Sequence, residues 1–217
     1  MLADLTHPIT ADCPVYPGSP APRLTPAATL ERDGYREMLL TIGSHTGTHM
    51  DAPRHLLPRG VSLDTLPPDR FCGSAAVADV TGLTAVTADF LRALEPRLRQ
   101  AEFLLLRSGY DQYWGTERYL EDAYPVLTEE AARYLLTFSL KGVGVDSLSV
   151  DRLAGDLPIH RILLGGGLVL VENLRLSPLA GTDTVRFFAF PLPYANADGA
   201  PVRAVAEFKV KVEEAPL

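Results

Sequence analysis

Four side chains able to hold a divalent cation fall within eleven residues. They are His45, His49, Asp51 and His55, in the run His45-Thr46-Gly47-Thr48-His49-Met50-Asp51-Ala52-Pro53-Arg54-His55. Three imidazoles and a carboxylate are donor types of a metal site, and the run contains no thiolate. Closed structural zinc sites usually use cysteine, so this set points to a catalytic Zn²⁺ or Mn²⁺ centre. A lone histidine is ordinarily a hydrogen-bonded core or surface residue. Three with an aspartate in one short segment outweigh that reading.

The backbone that presents them is not a helix. His45 and His49 would share a helical face, but Asp51 would lie about 240° round from His45. Pro53 also removes a backbone donor from the same stretch. In extended chain, positions 45, 49, 51 and 55 have one parity and point to one side. A straight strand would spread them over about 33 Å, so the chain must bend, and Gly47 and Pro53 are suitable places.

Further ligands must come from elsewhere, and only His7 and His160 remain as imidazoles. His160 opens the apolar segment Ile159 to Leu164, which Gly165-Gly166-Gly167 ends. Leu168 to Val171 then leads to Glu172, a charge directly after four apolar residues. A helix, a glycine turn and a returning strand would bring His160 near Glu172. Spacing alone leaves two readings open, a ligand pair or a Glu172–Arg175 ion pair. His7, beside Pro8, reads as structural. Tyr16 and Trp114 are candidates to pack a substrate ring, against the plainer reading as core or interface.

The elements around these residues are legible in part. Met38–Ile42 predicts a strand running into the histidine motif, and Ala75–Val80 another. Phe90, Leu91, Leu94 and Leu98 recur at helical spacing, with Thr87 as N-cap. Phe103–Leu106 is a short apolar run, as in a strand buried on both faces. A second helix is expected after Thr128, with Glu129 and Glu130 in its first turn. Gly142–Val145, Leu168–Val171 and Phe187–Phe190 are strand-like. Val202, Ala204, Ala206, Phe208 and Val210 alternate with Arg203, Glu207, Lys209 and Lys211, a half-exposed strand. The expectation is a mixed α/β fold around a curved, strand-rich sheet.

With 217 residues and no evident linker, one domain over residues 1–217 is the default. The net charge of −7, with no Lys/Arg-dense face or tail, argues against nucleic-acid binding. Cys13 and Cys72 are the only cysteines, too few for a disulfide framework; two free thiols in a reducing cytosol are expected. Met1–His7 shows neither a basic n-region nor an apolar h-region, so no signal peptide is read. The longest apolar stretch, Ile162 to Val171, is broken by three glycines and too short to span a bilayer. These readings together predict a cytoplasmic protein without a membrane partner.

The motif His-x-Gly-Thr-His-x-Asp-x-Pro-x-His resembles the signature of the metal-dependent cyclase family, which includes bacterial kynurenine formamidase (arylformamidase) and isatin hydrolase. The resemblance covers nearly the whole chain. Asp4–Ile9 and Pro14–Gly18 resemble the family's opening; Arg107-Ser108-Gly109-Tyr110 and Tyr113-Trp114-Gly115 its middle. Gly144–Asp151, His160-Arg161, Glu172-Asn173-Leu174 and Ala197–Arg203 follow in the family's order.

The resemblance implies a swivelling β/β/α-type α/β fold, often a homodimer or tetramer, holding one or two Zn²⁺ ions or Mn²⁺. It implies His45, His49, Asp51, His160 and Glu172 as metal ligands and His55 as the proton-transfer residue. The implied activity is hydrolysis of an aryl formamide or small cyclic amide by metal-bound hydroxide, kynurenine formamidase of tryptophan catabolism being the first reading. An isatin-like lactam or other cyclic amide or ester hydrolase is the second. From another class stands a catalytically inactive, metal-holding binding protein, against which the retention of His55 argues. Leu56 and Leu148 depart from the family pattern, which carries an aromatic residue and, in formamidases, a proline there.

Overall fold

A computed structural model describes residues 1–208. Its strands are β1 (Leu2–Asp4), β2 (Arg23–Ala28), β3 (Glu37–Thr41), β4 (His49–Asp51), β5 (Cys72–Asp79), β6 (Ala85–Val86), β7 (Phe103–Arg107), β8 (Val126–Leu127), β9 (Gly142–Val145), β10 (Val169–Glu172), β11 (Thr184–Pro191) and β12 (Gly199–Glu207). The α-helices are α1 (Leu30–Asp33), α2 (Ala88–Ala93), α3 (Glu95–Leu98), α4 (Glu129–Leu135) and α5 (Pro158–Gly165).

Eight strands form one curved mixed sheet in the order β1-β12-β11-β5-β7-β9-β10-β4. Strands β5, β7, β9 and β10 run parallel; the other pairings are antiparallel. β4 pairs with β10 on one side and with Gly199–Pro201 of β12 on the other, which closes the sheet into a barrel-like ring. The same edge of β12 takes β1 further along, at Val205–Glu207.

Side-chain parity splits the interior in two. Ala75, Val77, Phe103, Leu105, Val169 and Val171 point into the ring, with Phe187, Ala204 and Ala206. Their neighbours Ala76, Ala78, Leu104, Leu106 and Leu170 point outward and are covered by Leu91, Leu98, Ala131, Leu135, Ile159 and Leu163 of the helices. Phe103–Leu106 is therefore buried on both faces, as its composition predicts. Full burial of one such Leu or Phe contributes roughly 1.5–3 kcal/mol, so these two cores form the rigid floor of the molecule.

Two expectations needed correction in detail. The helix expected over Phe90–Leu98 is two, α2 and α3, parted at Leu94 ahead of Pro96, although Thr87 does cap it by accepting from Phe90 N. β3 forms as predicted but joins no core: with β2 it makes a two-stranded ribbon on which Met38, Leu39 and Leu40 are all exposed. In the last strand, Lys209, Val210 and Lys211 lie outside the described residues.

Candidate metal centre

Register places the inner donors. In the β10–β4 pair Glu172 lies opposite His49, and Leu170 opposite Asp51. Directly opposed residues share a face, so His49, Asp51 and Glu172 project together while Met50, between them, fills the barrel core. The bends are where the sequence puts them. Gly47 takes φ +65°, a left-handed conformation suited to glycine. After β4 the chain turns through a 3-10 turn, Pro53–His55, which carries His55 back to His45, ring centroids 4.1 Å apart. Gly199 on β12 lets the His45 ring lie against the strand, because a Cβ there would stand 2.5 Å from the ring.

α5 supplies the remaining donor. Asp151 accepts from Ile159 N and His160 N, both at 2.9 Å, and meets His160 Nδ1 at 2.7 Å. One carboxylate thus caps the helix and fixes the ring it carries. His49 is fixed in the same way: its Nδ1 lies 2.8 Å from the Gly47 carbonyl. A carbonyl only accepts, so Nδ1 carries the proton and Nε2 of the neutral ring is a bare lone pair.

Both Nε2 atoms face carboxylates. His49 Nε2 is 3.4 Å from Asp51 Oδ1 and 3.5 Å from Glu172 Oε2. His160 Nε2 is 3.4 Å from Asp51 Oδ2 and 3.3 Å from Glu172 Oε1. Donors around a tetrahedral ion with bonds of about 2.0–2.2 Å stand roughly 3.3–3.5 Å apart. All four residues are buried, and Asp51 Oδ2 has no hydrogen-bond partner among the described residues. A buried carboxylate oxygen facing a bare imidazole lone pair needs a cation between them. The donor set fits a divalent ion.

The outer part of the motif is more open. His45 is half-buried, its Nδ1 2.6 Å from Asp51 Oδ1 and its Nε2 3.1 Å from Asp198 Oδ2. His55 stands 3.9 Å from Asp198 Oδ2 through Nδ1. Among the described residues, donor atoms of His45, Asp51 and His55 converge, as do those of His49, Asp51 and Glu172, with Asp51 common to both groups. Burial opposes charging His45, but the Asp51 and Asp198 carboxylates beside it raise it to about 9. Burial likewise opposes charging His160, and Glu172 with Asp151 and Asp51 raises it all the same. Burial would push the Asp51 carboxyl up; the surrounding imidazoles, His45 foremost, hold it well below its ordinary value. The centre is a negative well that draws positive charge. His55 goes the other way, lowered mainly by burial.

A cavity of about 210 Å³ opens onto these groups, at the small end for ligand pockets. Pro14, Val15, Tyr16, Leu148 and Leu157 form its apolar wall. Leu157 holds φ 54°, ψ 54°, a left-handed pose that costs a leucine roughly 1–2 kcal/mol, and Pro158 after it disfavours that pose further.

All six residues singled out from the sequence converge here. Glu172 meets His49, His160 and Val150 N at 2.9 Å, not Arg175. Reasoning from sequence missed Asp151, Asp198 and Asn173. Asn173 Nδ2 donates to the same Gly47 carbonyl at 2.9 Å, and its Oδ1 accepts from the buried Tyr119 hydroxyl at 2.8 Å. All three sit inside segments the motif reading had marked, so they were within reach. Trp114 packs on His7, and only Tyr16 of the two ring candidates lines the cavity.

A cyclase family model ("Putative cyclase") matches residues 3–152. The chain belongs to the cyclase family. It is 32% identical to the kynurenine formamidase of Bacillus thuringiensis (strain Al Hakam) over 204 residues, 93% of this chain and 95% of that one. It is 32% identical to the kynurenine formamidase of Salinibacter ruber over 210 residues, 94% and 96% of the two chains. The fold matches an isatin hydrolase bound to the product analogue thioisatinate, with TM-score 0.86, 22% identity and 94% and 91% coverage. It also matches a predicted metal-dependent hydrolase of Bacillus stearothermophilus, with TM-score 0.79, 28% identity and 95% and 97% coverage. This member of the cyclase family is a hydrolase acting on small molecules. Among its described residues no helix is long and apolar enough to cross a membrane.

Proposed function

We propose that residues 1–217 form one metal-dependent amidohydrolase domain that cleaves an aryl formamide, as a kynurenine formamidase does. The observation that carries this is the buried pair of Nε2 lone pairs facing Asp51 and Glu172. His49, Asp51, His160 and Glu172 would hold one Zn²⁺ or Mn²⁺, and His45 with Asp51 a second. A divalent ion there supplies Lewis acidity, making water a stronger acid and polarising a carbonyl oxygen. Asp151 and the Gly47 carbonyl keep the two rings turned inward with their protons on Nδ1. The wall of Tyr16, Leu148 and Leu157 holds the aryl ring and keeps bulk water off the amide. His55, half-buried beside the inner groups, moves a proton to the leaving nitrogen as the C–N bond breaks, giving formate and an aryl amine. Burial lowers its pKa, which favours the neutral ring that takes up a proton before passing it on.

A second reading is opening of a small cyclic aryl amide, as in isatin hydrolases. Leu148 favours it, because this leucine lines the cavity where formamidase sequences carry proline. A comparison of kcat/KM for N-formylkynurenine, isatin and simple lactams or lactones, on metal-loaded protein, decides between them. Inactivity on all of them refutes both.

The exposed β2–β3 ribbon supports a homo-oligomer, since a two-stranded ribbon alone is marginal in water and this one shows apolar residues on both faces. Light scattering that finds a monomer refutes that. Two free cysteines, Cys13 buried and Cys72 half-buried, are in keeping with a reducing cytoplasm.

A further inference from the structure

Leu157 is held in a conformation that its own backbone disfavours, and the fold draws from it the first bond of α5, in which Arg161 N donates to its carbonyl at 3.0 Å, a role that any residue's backbone could fill. Its side chain is half-buried and belongs to none of the core clusters of the described residues. The Asp151 carboxylate, not Leu157, caps α5. A glycine or asparagine would take the same backbone with less strain. What the pose also achieves is to set an isobutyl group on the wall of the cavity that Tyr16, His55 and Leu148 line as well. The loop that carries it is pinned to the facing segment, because the Tyr16 hydroxyl donates to the Leu153 carbonyl at 2.8 Å. Strained residues of this kind persist where the surroundings over-determine them, and they gather at ligand sites.

We propose that Leu157 is a specificity-determining residue: its strained pose presses an apolar wall onto the ring of the substrate and selects aryl or cyclic amides over small aliphatic ones. The proposal rests on the reading of the cavity as an amide-hydrolase site, but its test does not need turnover. Zinc-loaded protein is titrated with benzohydroxamate and with acetohydroxamate, two metal-binding probes that differ by the ring. Wild type should bind benzohydroxamate more tightly. Leu157→Gly should shrink that preference about tenfold or more, the range for apolar groups in a pocket, with acetohydroxamate affinity unchanged. Leu157→Asn, which accepts left-handed backbone, should shift the ratio in the same direction. Leu157→Gly should also melt no lower than wild type, because it relieves strain.

Equal or absent binding of the two probes by wild type overturns the proposal, as does a ratio that neither variant changes. A clear drop in melting temperature for Leu157→Gly, with the ratio kept by Leu157→Asn, makes the pose a device of the fold and overturns it too. If the variants shift the ratio as expected yet wild type cleaves no aryl or cyclic amide, the functional reading fails and the role of Leu157 in selecting a ring stands. If it cleaves them without discriminating the probes, only Leu157's role fails.

Discussion

His160 and His7 are both almost fully buried, and their surroundings drive them in opposite directions. His160 is 3% exposed and His7 6%. His160 is raised well above the ordinary imidazole value; His7 is lowered to about 4. Burial disfavours the charged ring in both. The difference is what each ring meets. His160 faces Asp151, Asp51 and Glu172 within 3.4 Å. His7 stacks on Trp114, centroids 4.2 Å apart, and its Nε2 has no partner among the described residues. A buried histidine is therefore no sign of a cation site. A buried histidine whose lone pair is aimed at two carboxylates is one.

The sharpest way to break this comparison is to remove the carboxylates. Asp51→Asn or Glu172→Gln should lose metal, read by elemental analysis, and lower kcat/KM by about 10³-fold or more, since Lewis acidity is worth several kcal/mol. Full activity in chelator-treated, metal-free protein contradicts the whole scheme. Next comes His55→Ala, which should keep its metal and lose about 10²–10⁴-fold in kcat. Stoichiometric loss of metal there would make His55 a ligand instead. Asp151→Asn and Asn173→Ala probe the orienting contacts, and each should weaken metal affinity about 10–100-fold in a competition titration. Unchanged affinity would mean that the rings orient themselves.

The smallest effect belongs to His7. Its folded value, about 4, lies below the unfolded 6.5, so the unfolded chain binds the extra proton between them. Its contribution is fully present above pH 6.5 and lost as pH falls toward 4. His7→Gln should flatten the melting temperature over that window relative to wild type, and an identical slope in both proteins would place the acid sensitivity elsewhere.

The motif was readable because its donors are close in sequence and share one parity. The bends at Gly47 and Pro53 were readable for steric reasons, and Thr87 and Thr128 marked their helices by capping. Pro96 carried a signal for the split between α2 and α3 that the apolar spacing obscured. The supporting groups were harder to read. Asn173 meets Gly47 across 126 positions and Asp198 meets His45 across 153, distances over which local propensity is silent. The closure of the sheet by β4 on β12 depends on pairing of the same kind. Nor did the apolar run in Met38–Ile42 reveal that this strand would stand free of both cores.

That closure also bears on when the centre can exist. β4 is three residues long and is held between β10 and Gly199–Pro201 of β12, while Leu5 N donates to Ala204 O. The motif near residue 50 is thus given its shape by strands made after residue 168. Such long-range pairing makes for slow folding. A chain emerging from the ribosome would carry the histidines long before it could orient them, so metal capture becomes one of the last events of folding. Pulse-labelled chains truncated before Gly199 should bind zinc only loosely, and the full chain should bind tightly.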